Sequence, residues 1–448
     1  MNSNQNVLLG DKEYFKNVPK IEFEGPESDN PYAFKYYNPE KEVAGYKMRD
    51  FFKFAIAYWH SFCNPLGDPF GVGTRPMPWN ENDDPYKRIE QRMDAAFEFF
   101  TKLGVDYFCF HDIDLVDEPD SLKEFEKRLD HIIPYAKEKM DQSGMKVLWG
   151  TANLFNHPRY MNGAGTSPDF PVVARTAAQI KNALDTTIAL NGENYVFWGG
   201  REGYYTLLNT AMQREREHFA TLLHKAKDYA RAQGFEGTFF IEPKPMEPTK
   251  HQYDYDTSTV LNFIREFDLQ DDFMINVEVN HAELSGHTFQ HELQTAVDAG
   301  LLGSIDGNRG DHQNGWDTDQ FAMNIQDLTE AMLVLLDNEV KLPGGINFDA
   351  KLRRNSTDLE DLFTAHIGSM DAIARSLLIA EDILKDSPYP DMRRKRYTSF
   401  DSGDGKKFEQ GNLELTDLHK IAHDQGDDLP LNSGKQERYE QILFEKLK

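Results

Sequence analysis

Short apolar runs alternate with long amphipathic stretches along most of the chain. The runs lie at 54–58 (FAIAY), 105–110 (VDYFCF), 145–149 (MKVLW), 195–198 (YVFW), 238–241 (TFFI), 273–277 (FMINV), 301–305 (LLGSI) and 346–348 (INF). Several are rich in β-branched or aromatic residues, as buried strands are. Between them, 85–103, 119–141 and 204–233 carry helical patterns. In the last of these, Leu208, Met212, Phe219, Leu222, Leu223 and Ala226 recur close to the helical period and predict one face turned to a core. Gly104, Gly144 and Gly234 stand where C-caps are expected.

Eight strand–helix units in succession predict an α/β fold, a TIM (β/α)8 barrel. Alternation alone does not show closure, and a doubly wound open sheet carries the same pattern. Residues 1–50, polar and rich in Pro, Asn and Tyr, read as an N-terminal arm, and 51–384 as the barrel. Residues 385–448 are charged, with RRKR at 393–396, DSGDGKK at 401–407 and a helical pattern from 436. They read as a C-terminal extension of helices and loops lying on something else, such as a neighbouring subunit.

Composition narrows the partners. With 49 basic and 75 acidic side chains among 448 residues, the formal charge is −26, so the surface repels phosphate backbones and nucleic acid is not an expected partner. No run approaches the ~20 apolar residues of a membrane helix, and the first residues lack the basic and apolar regions of a signal peptide. Cys63 and Cys109 imply no disulfide framework. A soluble, cytoplasmic protein is expected.

The chemistry concentrates where the strands end. Those ends carry Trp59-His60, His111 to Asp114, Trp149, Trp198, Glu242-Pro243-Lys244, Glu278 to His281, Asp306 and Asp349. In a TIM barrel such ends converge on one pocket. Glu242, Glu278, Asp306 and Asp349 gathered there would repel one another and lose solvation, and a hard divalent cation relieves both penalties. Taken singly, each is equally a helix cap or a salt-bridge partner. Glu278, His281, Asp317 and Asp319 make a second candidate set, in which the imidazole favours Mn²⁺ or Co²⁺ over Mg²⁺; Asp319 also suits the N-cap of a helix over 320–336. Lys244 could polarise a substrate oxygen or pair with a carboxylate. His111 and Asp114 read as an acid–base pair with a fixed tautomer, or as a structural pair. Trp59, Trp149, Phe155 and Trp198 could wall a sugar pocket or belong to the core. His287 and His291, four apart, resemble a metal pair but lack a matching carboxylate motif, and read as surface or packing residues in a polar helix.

Together the runs AYWHSFC (57–63), DPFG (68–71), FHDIDL (110–115), LWGTANLF (148–155), FWGGREGY (197–204), IEPKPMEPTKHQYD (241–254), NVEVNHAELSGHTF (276–289), DGNRGDHQNGWDTDQF (306–321), GGINFDAK (344–351) and RYTSFDSGDGKKFE (396–409) resemble the xylose isomerases. The likeness is to the longer class II type with its N-terminal arm, and it runs from about residue 5 to the end. It implies a TIM barrel whose C-terminal extension embraces a partner, usually in a tetramer. It implies two divalent cations per subunit (Mg²⁺, Mn²⁺ or Co²⁺), one on Glu242, Glu278, Asp306 and Asp349, the other on Glu278, His281, Asp317 and Asp319. His111, supported by Asp114, would assist ring opening, and Lys244 would contact O1. Trp59, Trp149, Thr151, Phe155 and Trp198 would line the sugar pocket, and Phe70 would enter a neighbouring subunit's site. The activity so implied is D-xylose to D-xylulose isomerisation, with D-glucose to D-fructose slower, by ring opening and a two-metal-assisted 1,2-hydride shift. The alternatives are another divalent-metal sugar isomerase or epimerase, a non-catalytic sugar-binding barrel, and, against the charge, a metal-dependent nuclease.

Overall fold

The computed structural model describes residues 6–119 and 121–447. Eight parallel strands close into a barrel: β1 (Ala55–Ala57), β2 (Tyr107–His111), β3 (Lys146–Thr151), β4 (Asn194–Trp198), β5 (Thr238–Glu242), β6 (Phe273–Glu278), β7 (Leu302–Asp306) and β8 (Ile346–Phe348). Each pairs with the next, and β8 returns to β1 through Asn347 opposite Ala55. Closure decides against the open sheet. Each apolar run is a strand within a residue or two, and most extend to take in the polar residue just beyond. His111, Thr151, Glu242, Glu278 and Asp306 are thus the last residues of their strands.

The long helices between the strands are α1 (Pro85–Leu103), α2 (Leu122–Ser143), α3 (Phe170–Ala189), α4 (Met212–Ala232), α5 (Thr257–Glu266), α6 (Phe289–Asp298) and α7 (Ile325–Asp337), with short turns of helix over Asp112–Val116 and Val279–Leu284 directly after two strands; α8 (Asp361–Asp386) comes after β8. Gly104 and Gly144 end α1 and α2 in the left-handed conformation as expected. Helix α4 begins at Met212 rather than 204. Gly203-Tyr204 instead pairs antiparallel with His251-Gln252, and Leu208 is 96% exposed on the intervening loop. Its apolar character fits the helical period, but it buries nothing. Helix α7 begins at Ile325 with Asn324 as its N-cap, so Asp319 is not a helix cap.

The barrel interior is a small cluster of its own: Ala55, Cys109, Leu148, Trp149, Val196 and Phe240. Phe240 fits because Gly303 and Gly344 face it; a methyl group on either would stand 2.3 and 2.5 Å from its ring. The larger core lies between the strands and the helical shell.

The N-terminal segment is fastened across the helices by buried charge. Glu98 of α1, fully buried, accepts from the backbone N–H groups of Tyr14 (2.7 Å) and Phe15 (2.9 Å) and pairs with Lys102 at 2.9 Å. Asp371 of α8 accepts from the amides of Lys35, Tyr36 and Tyr37, each at 2.8 Å. Phe15 packs against Trp79, Phe99 and Phe363. At the other end, short helices over 389–396, 403–409 and 415–425 bury no residue within this chain, and the last helix, Gln436–Lys446, returns to lay Ile442 against the shell. Among the described residues no helix is long and apolar enough to cross a membrane.

Replacing Glu98 by Ala strands the Tyr14 and Phe15 amides and leaves Lys102 with the Glu13 carboxylate and the Phe15 carbonyl as partners. Glu98→Ala is expected to cost about 2–4 kcal/mol, roughly 1–3 kcal/mol for each unsatisfied buried donor, read as a lower melting temperature and faster proteolysis within residues 6–47. A variant as stable and as resistant as the parent would show that the arm is held otherwise.

Candidate metal centre and sugar pocket

Parallel register sets the acidic residues at one height. Glu278 lies opposite Asp306, Asp306 opposite Asn347, and Glu242 opposite Trp198. Asp349 leaves β8 directly after Phe348. Glu242, Glu278, Asp306 and Asp349 converge, each offering an oxygen within 4.8 Å of the others'. The first three are buried to 4% exposure or less. Burial first, then the neighbouring Asp306 and Asp349, pushes the Glu242 carboxyl well above its usual range. Burial, with Asp317 and Asp349, does the same to Glu278. Asp306 is pushed up to about 8 by burial and by Asp349.

The second predicted set closes in two overlapping halves. Glu278, Asp317 and Asp319 form one group; Glu242, Glu278 and His281 form another. His281 Nε2 lies 3.5 Å from Asp317 and its Nδ1 3.2 Å from Glu278. Burial favours the neutral form of Asp317, yet Lys244 and His281 hold its carboxyl well below the usual range. For Asp319, burial and Asp317 push upward, but Lys351 and His60 prevail and hold it low. Asp319 sits at φ +43°, a conformation unfavourable for a side chain with a Cβ. Its carbonyl accepts from Lys351 N at 2.8 Å and from Arg353 at 3.1 Å, which holds the turn in place.

The donor chemistry of both sets fits divalent cations. Buried Glu278 Oε2 and His281 Nδ1 have no hydrogen-bond partner, and a cation satisfies such atoms. All-oxygen ligation in the first set suits a hard ion, and the added imidazole in the second suits Mn²⁺ or Co²⁺.

All of these residues except Asp306, which is fully buried, form one wall of a cavity of about 210 Å³, and Trp59, Trp149, Thr151, Phe155, Trp198 and His111 form much of the rest. The aromatic rings brace one another: Trp59 with Trp149 (5.6 Å between centroids), Trp59 with His111 (4.5 Å) and Phe155 with Trp198 (4.5 Å). Thr151 lines the wall but spends its hydroxyl on the Val196 carbonyl at 2.6 Å. His111 Nδ1 lies 3.3 Å from Asp114 Oδ2, and that oxygen also accepts from the His111 amide at 2.7 Å. Lys244 pairs with Asp317 and lies 5.3 Å from the Trp198 ring centroid. Phe70 is 83% exposed near Trp316 and does not line this chain's own cavity.

Residue patterning placed His60 at a strand end without a role, and it missed the asparagines that hold the carboxylates. His60 Nε2 lies 2.8 Å from Asp349 and 3.5 Å from Asp319, linking the two sets. Burial would depress its pKa, but Asp349 and Asp319 raise it to about 9. Asn276 donates to Glu242 (3.1 Å) and Asp306 (2.6 Å), Asn347 to Asp306 (2.7 Å) and Asn308 to Glu278 (2.7 Å). A signal existed: Asn276 stands two before Glu278, on the same face of an extended strand.

Fold and site define a TIM-barrel protein with an acidic, cation-ready pocket at the carboxyl ends of its strands. A family model described as the XylA2 C-terminal domain matches residues 393–447. The xylose isomerase of Bacteroides thetaiotaomicron is 58% identical over 435 residues, 97% of this chain and 99% of that protein. Xylose isomerase 2 of Xanthomonas campestris pv. campestris is 57% identical over 437 residues, 98% of each. Among solved structures, an L-ribulose 3-epimerase matches in fold with a TM-score of 0.50 at 16% identity, over 74% of this chain and 96% of that one. The chain belongs to the xylose isomerase family.

The raised carboxyls make a signed prediction for metal-free protein. Folded Asp306 keeps its proton up to about pH 8, while the unfolded chain releases it near 3.8. Its contribution is therefore complete below about pH 4 and lost as pH rises to about 8, at no more than roughly 1.4 kcal/mol per pH unit for such a group. Chelated protein should melt progressively lower across that window, and loading with Mg²⁺ or Mn²⁺ should restore the melting temperature. Identical melting with and without metal would rule out a cation among these residues.

Proposed function

We propose that the chain interconverts D-xylose and D-xylulose, and D-glucose and D-fructose more slowly, by opening the sugar ring and shifting a hydride from C2 to C1. The reading rests on one observation above all: clustered candidate ligands and an aromatic wall meet in a single cavity, in a chain so close to xylose isomerases over nearly its whole length. Glu242, Glu278, Asp306 and Asp349 would hold one divalent cation, and Glu278, His281, Asp317 and Asp319 a second, each Mg²⁺, Mn²⁺ or Co²⁺. When bound, the cations supply Lewis-acid polarisation of the sugar oxygens.

The chain's own residues do the rest. Asp114, facing Nδ1, fixes the orientation of His111 and leaves Nε2 to move the proton that opens the ring. Lys244 bears on O1, where its ammonium offsets developing negative charge. Trp59, Trp149, Phe155 and Trp198, with Thr151 between them, exclude water and align the open chain. The hydride passes from C2 to C1 while the O2 proton is exchanged for one on O1, so substrate and product keep one composition.

The same reading divides the chain into an arm over 1–50, the catalytic barrel over 51–384 and an extension over 385–448 that packs on a neighbour in a cytoplasmic homotetramer. Phe70 would complete the neighbour's pocket. Two features support this: the exposure of Phe70 and Val72, and a tail that leaves Leu415 and Leu431 exposed on its surface.

Chelator-stripped protein given D-xylose should form D-xylulose only after addition of Mg²⁺, Mn²⁺ or Co²⁺. In D₂O the transferred hydrogen should carry no solvent deuterium. Absence of product with every cation would overturn the assignment, and substantial deuterium at C1 would replace the hydride shift by an enediol path. His60→Asn should weaken Co²⁺ binding at the set containing Asp349, the ligand it orients at 2.8 Å, about 10–100-fold, read from the visible spectrum during titration; unchanged affinity there would reduce His60 to a packing residue.

A further inference from the structure

The residues His287 and His291 lie outside the cavity, and the structure supplies the carboxylates that their sequence neighbourhood did not announce. His287 is not on a helix; it precedes Thr288, the N-cap of α6, and its amide is tied to the Ala282 carbonyl at 3.1 Å. His291 lies in the first turn of α6, so the two rings face each other with centroids 4.6 Å apart and planes at 32°. Glu292, only 2% exposed, spends Oε2 on the Thr257 amide at 2.7 Å. Its Oε1 is buried with no hydrogen-bond partner and lies 4.0 Å from His287 Nε2. That nitrogen also lies 3.4 Å from Asp256 Oδ2 at the head of α5.

We propose that His287, His291 and Glu292 form a separate site for a borderline transition-metal cation such as Zn²⁺, with Asp256 orienting His287 or entering as a fourth ligand. Two imidazoles and one carboxylate are a Zn²⁺ donor set and a poor one for Mg²⁺. The donor atoms already lie within 4.8 Å of one another. Tetrahedral ligation needs them roughly 3.3 Å apart, a contraction that half-exposed His287 and exposed His291 reach by side-chain rotation. Bound metal satisfies the orphaned Glu292 oxygen, and the two carboxylates offset the positive helix N-termini beside it. It would also clamp the head of α5, the segment after His281 and the start of α6.

The test is a Zn²⁺ titration by calorimetry on full-length protein held in saturating Mg²⁺, for the parent, the H287Q/H291Q double variant and Glu292→Gln. The parent should take up one equivalent more than the double variant, and Glu292→Gln should bind that equivalent at least tenfold more weakly. X-ray absorption at the zinc edge should show imidazole ligation that the double variant lacks. Mg²⁺-supported isomerisation should be the same in all three, so a failure of the catalytic reading and of this one are separable. His291→Gln alone, at an exposed position, serves if the double variant does not fold. Equal stoichiometry and affinity in parent and variants would overturn the site and leave His287 as an ion-pair partner of Asp256.

Discussion

Four carboxylates crowd one end of a closed barrel, three of them almost wholly buried, and their mutual repulsion is the constraint to which the surrounding structure answers. An uncompensated buried charge costs several kcal/mol, so each oxygen needs a donor, a proton or a cation. Asn276, Asn347 and Asn308 supply amide donors to Glu242, Asp306 and Glu278. His60 and Trp59 both donate toward Asp349, at 2.8 and 2.9 Å. Even so, Glu278 Oε2 has no hydrogen-bond partner, only His281 Nδ1 at 3.2 Å, which is where protein donors end and a proton or a cation must balance the charge.

Closure of the sheet makes that crowding possible. Trp59 and Asp349 stand 290 residues apart and hydrogen-bond because β8 pairs with β1. The pairing depends on an interior filled to fit, with Phe240 seated against Gly303 and Gly344, so the floor beneath the acidic residues is solid. The arm belongs to the same scheme. Glu98 and Asp371 fasten it with carboxylates aimed at backbone amides, a use of buried charge in which the partner is fixed and no cation is called for.

The strands were legible because each is a compact apolar run, and burial on both faces leaves such a run little ambiguity. The carboxylates were legible because they come directly after those runs, and a barrel gathers the carboxyl ends of its strands at one mouth. The features hidden from the sequence are of two kinds. Leu208 fits a helical period yet lies on a loop, since periodicity records spacing and not burial. His60, Lys351 and Asp256 act on groups far away in sequence, through contacts that exist only once the chain is folded. The pairing of His287 with Asp256, 31 residues apart, shows the limit well: a spacing rule finds two imidazoles but not the acid brought to them from another helix.

The two carboxylate sets differ in how their charge is balanced, and that difference bears on how each would hold a cation. Glu242, Glu278 and Asp306 are offset mainly by neutral amides, so without a cation their carboxyls are driven toward the protonated form. A cation placed there would offset part of the cost of their burial once the protons leave. Asp317 and Asp319 are instead held below the usual carboxylate range by their neighbours, Lys244 and His281 for the one, Lys351 and His60 for the other. A cation between them must share its ligands with those groups and gains less. Protein charge therefore leaves the first set the less balanced of the two, while in the second the ammonium of Lys244 is in contact with Asp317 beside the Trp198 ring.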